Sequence, residues 1–225
     1  MQSPVLYGVN GLEGTRNILY RNNGNGMFTD VSESAGITKP EPTYGFSPCV
    51  ADFDNDGWPD IYVAADAKPS LLFQNNRNGT FRETGLLAGV AFDINGRPQA
   101  GMGVGAGDYD GNGFLDIIKT NFSDDTPSLY RNEGSALFTD VTFQSGLAGQ
   151  TKSVKWGTAF LDFDNDGWPD IFIVGGPIYP PRGAFASEAG NRILLRNLGN
   201  GRFEDISRQC GGRYFSYGTT RPPYQ

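Results

Sequence analysis

The sequence DFDNDGWPD occupies residues 52–60, DYDGNGFLD residues 108–116, and DFDNDGWPD again residues 162–170. Each copy sets an acidic or amide oxygen at positions 1, 3, 5 and 9 and a glycine at position 6. A short loop wraps oxygen ligands around a hard cation in this way. The candidate metal ligands are Asp52, Asp54, Asp56 and Asp60, then Asp108, Asp110, Asn112 and Asp116, then Asp162, Asp164, Asp166 and Asp170. At position 7, Trp58, Phe114 and Trp168 can offer a backbone carbonyl, which asks nothing of the side chain. Carboxylates crowded this closely repel one another, and a bound divalent ion turns that repulsion into attraction. Oxygen-only donors favour calcium over magnesium or manganese and disfavour zinc and copper. The pattern predicts one calcium per loop, with the middle site weakest because Asn112 carries one negative charge fewer.

Two other readings of these loops fail. An EF-hand loop needs a bidentate Glu at position 12 followed by a helix, whereas position 12 here is Val63, Lys119 or Ile173. Phosphatases that form an aspartyl-phosphate carry a single DxD before a helical crossover, whereas the residues after these loops, IYVAA, IIKT or IFIVG, read as strand. One DxDxDG alone would be an ordinary Asx-rich turn. Three in register argue for metal.

Between the acidic loops a second motif recurs: ILYRNNGNGMFTDVSESAGI from residue 18, LLFQNNRNGTFRETGLLAGV from 71, SLYRNEGSALFTDVTFQSGL from 128 and LLRNLGNGRFEDIS from 194. Each is a short apolar strand, an Asn/Gly turn and a second strand opening on Phe, a hairpin signature. The acidic loop itself joins two strands, so each repeat of about 55 residues holds four strands, the content of a propeller blade. The runs Ile61 to Ala65 and Ile171 to Val174 are almost continuously apolar, as strands covered on both faces are. The predicted fold is therefore an all-β, partial propeller of three to four blades. Its units are about 1–40, 41–95, 96–150 and 151–207, with residues 208–225 a divergent tail.

These motifs resemble the FG-GAP and VCBS repeats of integrin α-subunit propellers. The pairing of YRNNGNGMFTDVS with KWGTAFLDFDNDGWPDIFIVGG is more similar still to the secreted family of cartilage acidic protein 1, whose members often end in an ASPIC/UnbV domain. The resemblance covers nearly all of residues 5–207. It implies a calcium-stabilised propeller, extracellular or periplasmic, used for adhesion or recognition of a protein or glycan, with the position 1, 3, 5 and 9 residues as calcium ligands. It implies no agreed enzymatic activity.

The rest of the sequence bounds this picture. The net charge of -7 leaves no basic footprint for nucleic acid, and eleven of the 25 acidic residues lie in the three loops. With no histidine in the chain, Ser-His or Cys-His nucleophile activation is unavailable. No catalytic residue or organic cofactor is expected; a hydrolase using loop-bound calcium and a purely structural spacer are the alternatives. No apolar stretch approaches a membrane span, and MQSPVLYGVN lacks the regions of a secretory signal. Cys49 and Cys210 form no metal or disulfide pattern, and Cys49 reads as a buried thiol. PVLYGV at residues 4–9 matches a strand that follows an acidic loop, yet no loop precedes it, and the pattern ends after Ser207. These ends predict a piece of a longer secreted protein, with open blade edges prone to self-association. The segment GGPIYPPRGAFASEAG reads first as a surface insertion and second as a partner-binding loop.

Overall fold

The computed structural model describes Val9 and residues 11–150, 154–176 and 192–210. The start of PVLYGV, the Pro-rich link at 177–191 and the tail from 211 lie outside the described residues.

Three four-stranded antiparallel sheets follow one another along the chain. The first contains β3 (Gly45–Ala51), β4 (Asp60–Ala65), β5 (Leu71–Asn75) and β6 (Phe81–Glu83). The second contains β7 (Gly101–Gly107), β8 (Asp116–Asn121), β9 (Ser128–Asn132) and β10 (Phe138–Asp140). The third contains β11 (Lys155–Leu161), β12 (Asp170–Gly175), β13 (Arg192–Asn197) and β14 (Phe203–Asp205). Strands within each sheet pair in sequence order. A two-stranded ribbon, β1 (Tyr20–Asn22) with β2 (Phe28–Asp30), precedes them. The architecture is a partial β-propeller.

The first strands of the three sheets lie side by side, with β7 between β3 and β11. Close approach requires glycine here: a Cβ on Gly103 would fall 2.6 Å from Gly157 Cα. Each first strand also carries a register shift near its start, at Gly45/Ser47, Gly101/Val104 and Lys155/Gly157. Such bulges bend and twist a strand.

The second strands account for the packing between sheets. Ile117 joins a cluster with Phe53, Tyr62, Leu72 and Tyr130, while its neighbour Ile118 joins Leu129, Ile171, Leu195 and Phe203. Successive strand residues point to opposite faces, so β8 is covered on both. Each fully buried isoleucine contributes about 1.5–3 kcal/mol of transfer free energy. A third cluster, Ala35, Ile37, Val63, Leu71 and Phe73, joins the chain after β2 to the first four-stranded sheet.

A four-residue helix, α1 (Gly85–Ala88), ends at Gly89 in the left-handed region with φ 83°. No periodicity announces it, because one helical turn is too short to show any. Cys49 is half-buried on β3, where burial raises its thiol pKa, and Cys210 is exposed; both are free. Among the described residues no helix is long and apolar enough to cross a membrane.

Candidate metal centre

Each acidic loop joins the first and second strands of its sheet. Two of its residues sit in the left-handed region: the glycine at position 6 (Gly57, Gly113, Gly167) and the residue at position 4, which is Asn55, Gly111 or Asn165. Asparagine and glycine tolerate that conformation best, so position 4 belongs to the motif as much as position 6 does. The double reversal lets side chains at positions 1 and 3 face the one at position 9.

Three triads result: Asp52, Asp54 and Asp60; Asp108, Asp110 and Asp116; Asp162, Asp164 and Asp170. Within each, one carboxylate oxygen per residue lies within 4.8 Å of the others. The fifth-position Asp56 and Asp166 stand outside these triads. Asp56, Asn112 and Asp166 each accept from the N–H of their own position 7 residue, Trp58, Phe114 or Trp168, at 2.8–2.9 Å. The other oxygen of Asp56 accepts from Arg77 Nε at 2.6 Å.

Position 9 is the pivot of each loop. Asp60, Asp116 and Asp170 are essentially fully buried. One oxygen of each accepts from the backbone N–H at loop position 2, Phe53, Tyr109 or Phe163, at 3.0–3.1 Å. The second accepts from the last residue of the third strand, Asn75, Asn132 or Asn197, at 2.7–2.8 Å. The carboxylate therefore ties the loop to the third strand, a role that ligand spacing alone does not reveal. Burial pushes Asp60 up to about 6 and Asp116 up to about 7, with the neighbouring loop carboxylates adding to the shift. Asp170 is raised for the same reasons. Asp54 and Asp110 are also raised by burial and by neighbouring carboxylates.

The loops also join neighbouring sheets. Asn132 Nδ2 donates to Phe53 O of the preceding loop at 2.8 Å and to Leu115 O of its own. Asn197 repeats this on Tyr109 O and Pro169 O. The aromatic ring at loop position 2 follows the same path: Phe53 meets Phe138 edge-on and Tyr109 packs against Phe203 of the next sheet. In both cases the asparagine that closes the third strand makes the contact, and the arginine before it does not. Arg131 and Arg196 form exposed ion pairs with Glu133 and Glu204.

Position 7 side chains are less uniform. Trp168 sits against Gly111 of the preceding loop and Gly199 of its own sheet, and Phe114 sits against Gly134. Trp58 is 46% exposed. Asn55 Nδ2 reaches Gly113 O, linking the first loop to the second.

The residues fit a hard cation. All donors are oxygen, three converge in each loop, and no histidine or cysteine intrudes. A bound ion would supply the positive charge that the crowded carboxylates lack.

Comparison with known proteins agrees with this architecture. The profile of the FG-GAP-like repeat family matches residues 6–63 and 52–119, together more than half of the chain, which therefore belongs to that family. Cartilage acidic protein 1 of Mus musculus is 27% identical over 202 residues, covering 85% of this chain and 30% of that protein. Integrin alpha-7 of Homo sapiens is 27% identical over 143 residues, 58% of this chain and 12% of that protein. The chain thus spans at most about a third of the length of these relatives. Among solved structures, an Agrocybe aegerita lectin described as recognising non-reducing terminal N-acetylglucosamine gives a TM-score of 0.44 at 20% identity, covering 85% of this chain and 46% of that one.

Proposed function

We propose that the chain is a calcium-binding, non-enzymatic recognition module of an extracellular or periplasmic protein, in which metal-loaded loops hold successive blades in register. The observation that carries this reading is the convergence of three equivalent aspartates in each of three equivalent loops. The proposed ligand set adds the position 5 oxygens of Asp56, Asn112 and Asp166 and the carbonyls of Trp58, Phe114 and Trp168. In this reading the repeat units run about 1–40, 41–95, 96–150 and 151–207. Three near-identical sites serve a shared structural duty, whereas catalysis normally needs one differentiated site.

Thermal unfolding with calcium and then with chelator tests the proposal. Calcium at 100 times its dissociation constant stabilises by about 2.7 kcal/mol per independent site, so chelation is expected to lower Tm markedly. The combined change Asp52→Ala, Asp108→Ala and Asp162→Ala should abolish that shift. No shift in the parent protein, or an equal shift in the triple variant, would reject structural calcium.

A further inference from the structure

The two faces that end the stack match the two halves of the interface inside it. Between the second and third sheets, the third contributes Ile193 and Leu195 of β13 and Phe203 of β14, buried in one cluster with Tyr109, Ile118 and Leu129 of the second. The ribbon carries the same set in the same register. Tyr20 stands across from Asp30 and Asn22 from Phe28, as Leu195 stands across from Asp205 and Asn197 from Phe203. Ile18 precedes Tyr20 by two residues, as Ile193 precedes Leu195. Ile18, Tyr20 and Phe28 thus correspond to Ile193, Leu195 and Phe203. Yet Tyr20 is 57% and Phe28 60% exposed, and Ile18 is exposed as well.

The far side of the third sheet carries the receiving half. Ile171 and Ile173 of β12 pack towards the second sheet, so Phe172 and Val174 between and beyond them point away from it. Phe172 stands across from Ala159 on one neighbouring strand and Leu194 on the other, and Leu161 lies two residues on from Ala159. In the second sheet the residues at the positions of Phe172 and Leu194 are Ile118 and Leu129, both fully buried beneath the third sheet. In the third sheet Leu161 and Val174 are exposed, and Phe172 and Leu194 are only half-buried. Phe163, at loop position 2, is also half-buried, whereas Phe53 and Tyr109 at that position are buried.

Two contacts recur in both internal interfaces. The asparagine closing the third strand donates to the position 2 carbonyl of the preceding loop. The position 2 ring meets the phenylalanine that opens the fourth strand of the next sheet. The next partners in that series are Phe163 of the third loop with the Asn22 and Phe28 of a ribbon. Charge does not bar the contact. Arg196, on the face of Leu194, is held by Glu204, as Arg131 is held by Glu133 on the face that the third sheet covers. Arg192 lies across from Val174 at the margin.

We infer that the outer face of the third sheet, centred on Phe172 and Val174, is a docking site for the Ile18, Tyr20 and Phe28 face of a second copy, so that the protein associates head to tail. The occupant is a second copy because the complement that fits this face, position by position, is carried by every copy of the chain. Exposed apolar faces rather than scattered apolar residues mark such contacts. The inference assigns to two sheet faces the self-association that the sequence suggested at strand edges, and it rests on neither the metal nor the recognition reading. A head-to-tail contact closes into a ring where the rotation allows and otherwise extends into a row of copies.

Sedimentation velocity and light scattering of the 225-residue chain across a concentration series test this. The parent protein should assemble reversibly. Tyr20→Arg and Val174→Arg should each weaken assembly at least tenfold, because each removes one half of the contact from every copy. Mixing the two variants should restore a one-to-one complex, since one retains the third-sheet face and the other the ribbon face. Denaturant midpoints close to that of the parent show that the variants are folded; where one is not, Phe28→Arg or Leu161→Arg takes its place. A parent that stays monomeric, or a variant that assembles as the parent does, overturns the inference. So does a mixture no more associated than its components, which is the behaviour of unspecific apolar adhesion. A calcium-dependent Tm shift that persists beside any of these results leaves the metal reading standing.

Discussion

The two ends of β8 obey opposite rules. At one end Asp116 repeats what Asp60 and Asp170 do in the flanking sheets, down to the same pair of accepted backbone hydrogen bonds. At the other, Lys119 and Asn121 occupy positions that are apolar or glycine in both flanking sheets and leave buried polar atoms unpaired. The features that all sheets share hold the stack together. The polar residues near the end of its second strand, which the second sheet alone carries, instead cost stability.

If that contrast is correct, changes at the two ends of one strand should move stability in opposite directions. The largest effect is expected at the shared end. Asp116→Ala leaves the N–H groups of Tyr109 and Asn132 without their acceptor in a fully buried site. Each orphaned donor costs about 1–3 kcal/mol, so a loss of roughly 2–6 kcal/mol should appear in denaturant titrations. The titration should be run with chelator present, so that the loss cannot be assigned to calcium. A loss below about 1 kcal/mol, the bottom of the range for a single orphaned donor, would mean that the carboxylate serves the metal only.

At the private end the sign reverses. Burial, opposed by Asp140, Asp125 and Asp93, lowers Lys119 to about 8, against about 10.4 for a free lysine. Between those values the unfolded chain binds more protons, so stability rises with pH from about 8 towards 10. Below about pH 8 the full penalty, about 3 kcal/mol by linkage, is present. Lys119→Ile should therefore stabilise the protein at about pH 7 by up to that amount, in line with the replacement of other buried charges by apolar residues. It should also diminish the rise above about pH 8. Lys155, likewise lowered by burial to about 8, retains part of the rise. Above about pH 10, where unfolded tyrosines ionise, the buried phenols of Tyr62, Tyr109 and Tyr130, all shifted upward by burial, turn the curve down again. Tm measured from about pH 6 to about pH 10 on both proteins decides the matter, and a less stable Lys119→Ile at neutral pH would contradict the account.

The same contrast explains how much is legible in the sequence. The four-strand repeat and the loop aspartates are readable because repetition multiplies a weak local signal: DxDxDG once is a turn, three times in register a framework. Position 4 escapes because Asn55 and Gly111 share no chemistry except tolerance of positive φ. The anchoring role of position 9 escapes because its partners, such as Phe53 and Asn75, are backbone N–H groups, which carry no residue signature. In the sequence Lys119 registers only as the wrong residue for an EF-hand. Its significance depends on burial and on missing partners, and neither is written in a strand sequence of DIIKTN.

The smallest predicted effect separates cohesion within a sheet from cohesion between sheets. Asn132 Nδ2 bonds both its own loop, at Leu115 O, and the preceding one, at Phe53 O. For Asn75 the corresponding amide bonds only its own loop, at Pro59 O. A net hydrogen bond contributes about 0.5–1.5 kcal/mol, so Asn132→Ala should destabilise by roughly 1 kcal/mol more than Asn75→Ala. Buried Asn132 would also leave the Phe53 carbonyl unpaired on truncation, which pushes the difference towards the upper part of that range. Hydrogen exchange locates the loss: extra opening should appear at the facing strands β4 and β8 in Asn132→Ala, and only around the loop of residues 52–60 in Asn75→Ala. Equal losses with the same exchange pattern would mean that this inter-sheet bond contributes nothing measurable beside the apolar packing and the Asn55–Gly113 bond that also join the two sheets.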